Sequence, residues 1–248
     1  MLPFVRIGPL LFQVPGLAII AGIWIGMDFV EKEAGRLRLH APAVLNMLLY
    51  GLIAGPVGAR LIYALQHLDA YAAAPLSLLA LSASALDPLG GLLVGVATSY
   101  VYGRRKGLPL RTTLDAAAPG IAVFMIAIGV ANLLSGSGYG APLDAPWALS
   151  LWGKDRHPTQ IYEILLALGV FLWWKFMPRT SPSSGVRFLQ VAGLSAAARL
   201  LIEAFRADSA IIAGGFRLAQ VVALLVLAAT MYVWRRWSRS GGQNPSAA

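Results

Sequence analysis

The chain contains no cysteine. Disulfides, thiol nucleophiles and cysteine-ligated metals are therefore excluded. Charge is scarce as well. Only 12% of the 248 residues are Asp, Glu, Lys or Arg, where a soluble domain usually carries about 25%. There is no GxxxxGK[ST] phosphate loop, no internal repeat and no separate soluble domain. No metal and no cofactor are expected. What fills the chain instead is apolar: 58% of residues are hydrophobic and the mean hydropathy is +0.68. That composition reads as an integral membrane protein. The net charge of +9 admits a nucleic-acid surface as one reading, but the positions of the charges favour membrane topology, and no nucleic-acid partner is expected.

A membrane helix needs about 20 mainly apolar residues. Seven candidates fall at approximately 10–30, 43–65, 88–102, 115–134, 158–177, 186–205 and 216–234. The N-terminal run lacks a compact basic region and a clear small-residue cleavage site, so it is read as a retained first span. The third candidate is short. The apolar stretch 75–85 before it is read as a helix that only enters the interface, and a six-span arrangement is the alternative. Thirteen basic residues fall on alternate loops and the tail: Lys32, Arg36 and Arg38, then Arg104, Arg105, Lys106 and Arg111, then Lys175, Arg179 and Arg187, then Arg235, Arg236 and Arg239. The opposite side carries Arg6, Lys154, Arg156, Arg206 and Arg217. The positive-inside rule puts the richer side in the cytoplasm. The fold class expected is all-α, with about seven spans, the N-terminus outside and the C-terminus cytoplasmic. Residues 1–237 form one polytopic domain with a short outer cap loop at about 135–157, and 238–248 a disordered polar tail.

Ionisable groups inside spans are costly, so each is a functional candidate. On this topology Arg60 lies in the outer half of span two. Arg199, Glu203 and Arg206 follow an i, i+4, i+7 spacing that puts them on one face of span six. Span four ends outside near Asn132. Span five begins outside with His157, Gln160, Tyr162 and Glu163. All of these converge on the outer half of the membrane. Guanidiniums gathered with carboxylates at that depth suit an anionic ligand, because Arg presents a planar fork of donors to phosphate oxygens. A lipid headgroup is the phosphate expected there. Plainer readings stay open residue by residue. Arg199 and Glu203 make an ordinary intrahelical pair, Arg60 snorkels to the interface, His157 caps the fifth helix with Pro158 opening it, and Glu163 answers the helix dipole. Gly90, Gly91 and Gly95 suit close helix packing. The run Ser135 to Gly140 is either a flexible loop or a backbone that approaches a headgroup closely.

These segments resemble a known family. "RHPTQIYE" (Arg156 to Glu163) is similar to the RHPSQLYE segment of the bacterial prolipoprotein diacylglyceryl transferases. "RLLIEAFRADS" resembles their R-x-x-x-E-x-x-R helix with its following acid, "GARLIY" their GGRxGY, "NLLSGSGYGAP" their NxxNGExWGR and "LGGLLVG" their HGGLxG. The matches run in order from about Gly16 to about Trp234. The resemblance implies transfer of a diacylglyceryl group from phosphatidylglycerol to the lipobox cysteine of a prolipoprotein, at the outer leaflet of the bacterial cytoplasmic membrane. The partners implied are that phospholipid and the signal-peptide segment. Arg60, Arg199, Glu203 and Arg206 fall on positions that hold the headgroup or order the site. Asn132, Gly136 and Gly140 match the signature, and His157, Gln160, Tyr162 and Glu163 the polar entry to span five. Arg199, Glu203, His157 and Glu163 are the catalytic candidates, with His157 or Glu163 as the base; Arg60, Arg206, Asn132, Gly136, Gly140, Gln160 and Tyr162 are the substrate-binding candidates.

The chain departs from the family pattern at several places. Leu89 stands for the HGG histidine, Gly129 for the signature arginine, Ser137 for its acid and Ser135 for its second asparagine. Gln13-Val14-Pro15-Gly16 stands for HWYG. A relative that binds a lipid or a signal-peptide helix without catalysis is therefore the alternative. A transporter is disfavoured by the lack of an inverted repeat and of acids through a full span.

Overall fold

The structure is a computed structural model, and it describes residues 4–7, 10–73, 85–178 and 185–240. The expected interfacial helix at 75–85 lies almost wholly outside the described residues, as does the end of the polar tail, 241–248. Two strands, β1 (Phe4–Ile7) and β2 (Leu10–Gln13), pair antiparallel with Ile7 opposite Leu10. The helices are α1 (Val14–Arg36), α2 (Ala41–Gln66), the short α3 (Leu68–Ala73), α4 (Pro88–Arg105), α5 (Leu110–Ser135), α6 (Thr159–Phe176), α7 (Val186–Glu203) and α8 (Leu218–Ser240). A second hairpin, β3 (Leu149–Leu151) with β4 (Lys154–Arg156), lies between α5 and α6.

Seven of these helices have 18 residues or more. Four are long and apolar enough to cross a membrane: Val14–Arg36, Ala41–Gln66, Leu110–Ser135 and Leu218–Trp237. Among the described residues the regular structure is thus helical apart from two small hairpins, and the composition is that of a membrane protein. Three expected boundaries move. Residues 10–13 are strand rather than the start of the first span, and the helix opens at Val14, with Pro15 in the first turn, where its missing N–H costs nothing. Helix α8, the last expected span, runs to Ser240, three residues into the expected tail. Helix α7 stops at Glu203, so Arg206 lies beyond its end.

The chain divides into two compact units, residues 34–113 and residues 1–33 with 114–248. In the first, α2 and α4 meet backbone to backbone. A Cβ on Gly91 would stand 2.9 Å from the carbonyl oxygen of Gly55, and one on Gly95 at 2.9 Å from that of Gly51. Small residues permit this approach, which replaces a hydrophobic drive that lipid cannot supply. Asp87 caps α4 by accepting from the Gly90 amide at 2.5 Å, and Gln66 Nε2 donates to it at 3.2 Å. Arg60 donates from Nη1 to the Ala85 carbonyl at 3.0 Å and lies 5.7 Å from the Tyr71 ring centroid. Leu89, in the first turn of α4, is 67% exposed.

In the second unit, Ala118 and Ala122 of α5 pack with Val170 and Trp174 of α6 and Val191 of α7. Phe29 of α1 closes this cluster edge-on against Phe171, with ring centroids 5.0 Å apart. Asp115 on α5 caps α7, accepting from the amides of Gly185 at 2.5 Å and Phe188 at 2.9 Å. These contacts fix α5, α6 and α7 side by side.

Candidate active site

Glu163 is the centre of a polar cluster in the second unit. It sits one turn into α6 and is buried, with only 8% of its side chain exposed. Its Oε2 accepts from Asn132 Nδ2 of α5 at 2.9 Å, and its Oε1 from Arg199 Nη1 of α7 at 3.0 Å. One carboxylate therefore joins three helices. Arg206 Nη1 approaches the same Oε1 at 4.0 Å, an ion-pair distance but too long for a hydrogen bond. Arg199 Nη2 lies 3.2 Å from Glu203 Oε2, one helical turn away. Glu203 is fully buried, and neither of its oxygens has a hydrogen-bond partner among the described residues. The contact with Arg199 is thus close in distance but not aligned as a hydrogen bond. Arg217 Nη1 donates to the Glu203 main-chain oxygen at the end of α7, where a cation also complements the helix dipole.

The loop after α5 lies over this cluster. Gly136 and Gly138 have φ of +78° and +68°, conformations that glycine adopts without penalty. Three side chains hold the loop by its carbonyls. Trp152 Nε1 donates to Gly136 O at 3.2 Å, Gln160 Nε2 to Ser137 O at 3.0 Å, and Thr159 Oγ1 to Gly138 O at 2.6 Å. Gln160 is wholly buried, and its Oε1 has no hydrogen-bond partner among the described residues. Gly140 forms an antiparallel bridge with Arg206, and a Cβ there would strike His157 O at 2.4 Å. Arg156 packs over the Tyr139 ring and donates to the carbonyls of Leu151 and Gly140. A small, partly open cleft lies between α5, α6 and α7; Glu163 and Arg199 line it with apolar and small residues such as Met125, Ala167 and Ser195.

The structure brings Asn132, Glu163, Arg199, Glu203 and Arg206 into one network, with Gly136 and Gly140 in the loop that lies over it and Gln160 of α6 holding that loop by the Ser137 carbonyl. The helical-face expectation for Arg206 is corrected. The residue lies past α7 and is carried to the cluster by its bridge to Gly140. His157 does not cap α6. Pro158 is the N-cap and offers no side-chain bond, and the His157 ring packs against Phe205 and Tyr162, with centroids 5.1 and 6.3 Å away. Its Nδ1 has no hydrogen-bond partner among the described residues. Arg60 belongs to the other compact unit and makes the contacts given above. Asp208, Thr159 and Arg217 were not singled out by the sequence reading. Asp208 had a signal, the acid that follows the R-x-x-x-E-x-x-R run; the other two had none.

Gly129 explains one departure from the family pattern. It is buried on α5, where a Cβ would stand 2.8 Å from Ile164 Cγ1 and 3.2 Å from Ile164 N. The space for a side chain is taken by α6 itself, and that close approach lets Asn132 reach Glu163. Placing arginine back here (Gly129→Arg) is expected to destabilise the protein by at least about 1–3 kcal/mol, the usual cost of overpacking. A lower unfolding midpoint in detergent, with no gain in activity, is the expected result; a gain would show that α6 can yield.

A family model described as prolipoprotein diacylglyceryl transferase matches residues 3–236. Curated relatives carry the name phosphatidylglycerol–prolipoprotein diacylglyceryl transferase. The protein of Gloeobacter violaceus is 32% identical, over 93% of this chain and 94% of that protein. That of Geobacter sulfurreducens is 32% identical over 93% of each, and that of Geobacillus kaustophilus 28% identical over 97% of this chain and 96% of that protein.

Proposed function

The chain belongs to the prolipoprotein diacylglyceryl transferase family, and on that premise we propose that it moves a diacylglyceryl group from phosphatidylglycerol to the cysteine thiol of a prolipoprotein lipobox. The observation that carries the reading is the convergence of Arg199 and Arg206 on Glu163 beside a cleft between helices. The protein acts in the bacterial cytoplasmic membrane. It crosses seven times with the N-terminus outside, and its site faces the outer leaflet, as the distribution of Lys and Arg supports.

The chemistry is one displacement. The thiol sulfur attacks the glyceryl carbon that bears the phosphate ester. A carbon–sulfur bond forms, the carbon–oxygen bond breaks, and glycerol phosphate leaves with the electron pair. The thiol proton passes to a base. Arg199 and Arg206 lie where negative charge builds on the leaving phosphate, and fixed donors aimed at developing charge supply a large part of such a rate. Glu203 and Glu163 hold Arg199 from two helices. Both oxygens of Glu163 already accept hydrogen bonds, whereas His157 Nδ1 has no hydrogen-bond partner among the described residues. His157 is therefore the better candidate for the base, and Tyr162 packs at the edge of its ring. Gln160, Gly136 and Gly140 shape the loop beside the headgroup; Arg60, in the other compact unit, is a lipid-binding candidate of its own.

The test is direct. Purified protein is given phosphatidylglycerol and a lipobox peptide, and the peptide mass is followed. A gain of one diacylglyceryl group, lost when the cysteine is replaced by serine, is expected. The replacements at Leu89 and Gly129 favour the second reading, a lipid or signal-peptide binder without catalysis. An unmodified peptide together with retained phosphatidylglycerol binding would establish that reading instead.

A further inference from the structure

Arg206 lies beyond the helix that was expected to hold it, so something else must fix its side chain. The main chain accounts for part. Ala141 N donates to Phe205 O at 2.8 Å and Ala207 N to Tyr139 O at 3.0 Å, pairing the segment after α7 with the glycine loop. The side chain is fixed by Asp208. Arg206 Nε donates to Asp208 Oδ1 at 3.0 Å and Nη2 to Oδ2 at 3.2 Å, a two-point fork. Oδ2 also accepts from the Gly138 amide at 2.7 Å. The Gly138 peptide is then held on both sides, its N–H by Asp208 and its carbonyl by Thr159. A Cβ at position 138 would lie 3.1 Å from Arg206 Nη2, so the guanidinium rests directly against the loop.

This arrangement has a chemical consequence. A guanidinium offers donors on three nitrogens. Asp208 takes two of them. Nη1 remains, and among the described residues its ion-pair partner is Glu163 at 4.0 Å, through the oxygen that Arg199 already holds. We infer that Asp208 is a positioning residue for the phosphate of the donor lipid: it occupies one edge of Arg206, turns the Nη1 edge toward Glu163 and Arg199, and locks the Gly136–Gly140 loop over the headgroup in the same act. The inference rests on the reading of this cluster as the phosphate site of a diacylglyceryl transferase.

Charge and position make opposite predictions. An acid removed from beside a phosphate site should tighten an anionic ligand if only its charge mattered. Loss of positioning should loosen it. Wild type, Asp208→Asn, Arg206→Ala and the double variant are compared with phosphatidylglycerol and a lipobox peptide. The KM for phosphatidylglycerol should rise about tenfold in Asp208→Asn, the size of effect expected when the outer partner of an ion-binding group is lost. The KM for the peptide should stay at the wild-type value. Asp208→Asn should add nothing in the Arg206→Ala background, because a residue that acts only through another has no effect once that other is gone. Independent losses, a tighter donor, or equal changes in both KM values would overturn the proposal. If the wild type forms no thioether, the same four proteins are compared by direct binding of phosphatidylglycerol in nanodiscs. A tenfold weaker Asp208→Asn with no further loss in the double variant still supports the positioning role, while unchanged binding sinks it. Asp208→Glu keeps the charge on a longer arm and should recover part of the donor KM. If neither Asp208 variant folds, the residue is structural and the proposal fails.

Discussion

Arg199→Ala is expected to lower diacylglyceryl transfer by about two to three orders of magnitude, the usual cost of removing a fixed donor from developing charge. Arg199 is the one described cation that touches both carboxylates, Glu163 at 3.0 Å and Glu203 at 3.2 Å. On the proposed mechanism its loss removes a donor to the leaving phosphate. It also leaves Glu203 fully buried without its counter-charge. Breaking a buried pair by removing one partner costs about 3–5 kcal/mol, so the unfolding midpoint should fall as well. Two controls separate the effects. Arg199→Lys keeps the charge but not the planar fork, and should hold the fold better than it holds activity. Arg199→Ala combined with Glu203→Gln removes the stranded charge, and should regain stability without regaining turnover. Transfer to a lipobox peptide and thermal unfolding in detergent are the two measurements. Wild-type-like turnover by Arg199→Ala would remove Arg199 from the mechanism.

Much of this cluster is visible in the sequence because polar residues inside apolar runs have few alternatives to partnership. Asn132, Glu163, Arg199 and Glu203 stood out on that ground, and they share one network in the structure. Arg206 reaches the cluster by a route that helical spacing does not describe. A helical period places i+7 on the same face, but α7 ends at Glu203 and a bridge to Gly140 does the placing. Chain direction cannot be read from spacing once a helix has stopped. Topology reports height in the membrane and does not say which side chains touch; the described contacts of Arg60 include the Ala85 carbonyl and the Tyr71 ring. Gly129 read as a lost arginine. A single letter carries no record of the neighbour that fills the space, here Ile164. At the N-terminus, the hydrophobicity of residues 10–13 was absorbed into a span, although Ile7 and Leu10 close a hairpin there. Apolar runs of that length do not distinguish strand from helix.

Removing the carboxylate at the centre should have the larger structural effect. Glu163→Ala is expected to destabilise the protein by about 3–5 kcal/mol, since it strips the shared partner from Arg199 in a buried network. Asn132 Nδ2 would lose its acceptor too, a further cost of about 1–3 kcal/mol for a buried donor left unsatisfied. Glu163→Gln should cost less, because its oxygen can still accept from Asn132 or Arg199, although its amide donors cannot replace the second carboxylate oxygen. A cycle with Asn132→Leu tests the coupling. If Glu163 joins α5 to α7 as the distances of 2.9 and 3.0 Å indicate, Asn132→Leu should destabilise the wild type and do little more in the Glu163→Ala background. Additive losses in unfolding midpoint would mean that the two residues act separately. The same cycle read by transfer activity bears on Gly129. The Asn132–Glu163 bond exists because α5 and α6 approach across that glycine. A widening of the gap by Gly129→Ala should therefore reproduce much of the Asn132→Leu defect in the wild type and little of it in the Glu163→Ala protein.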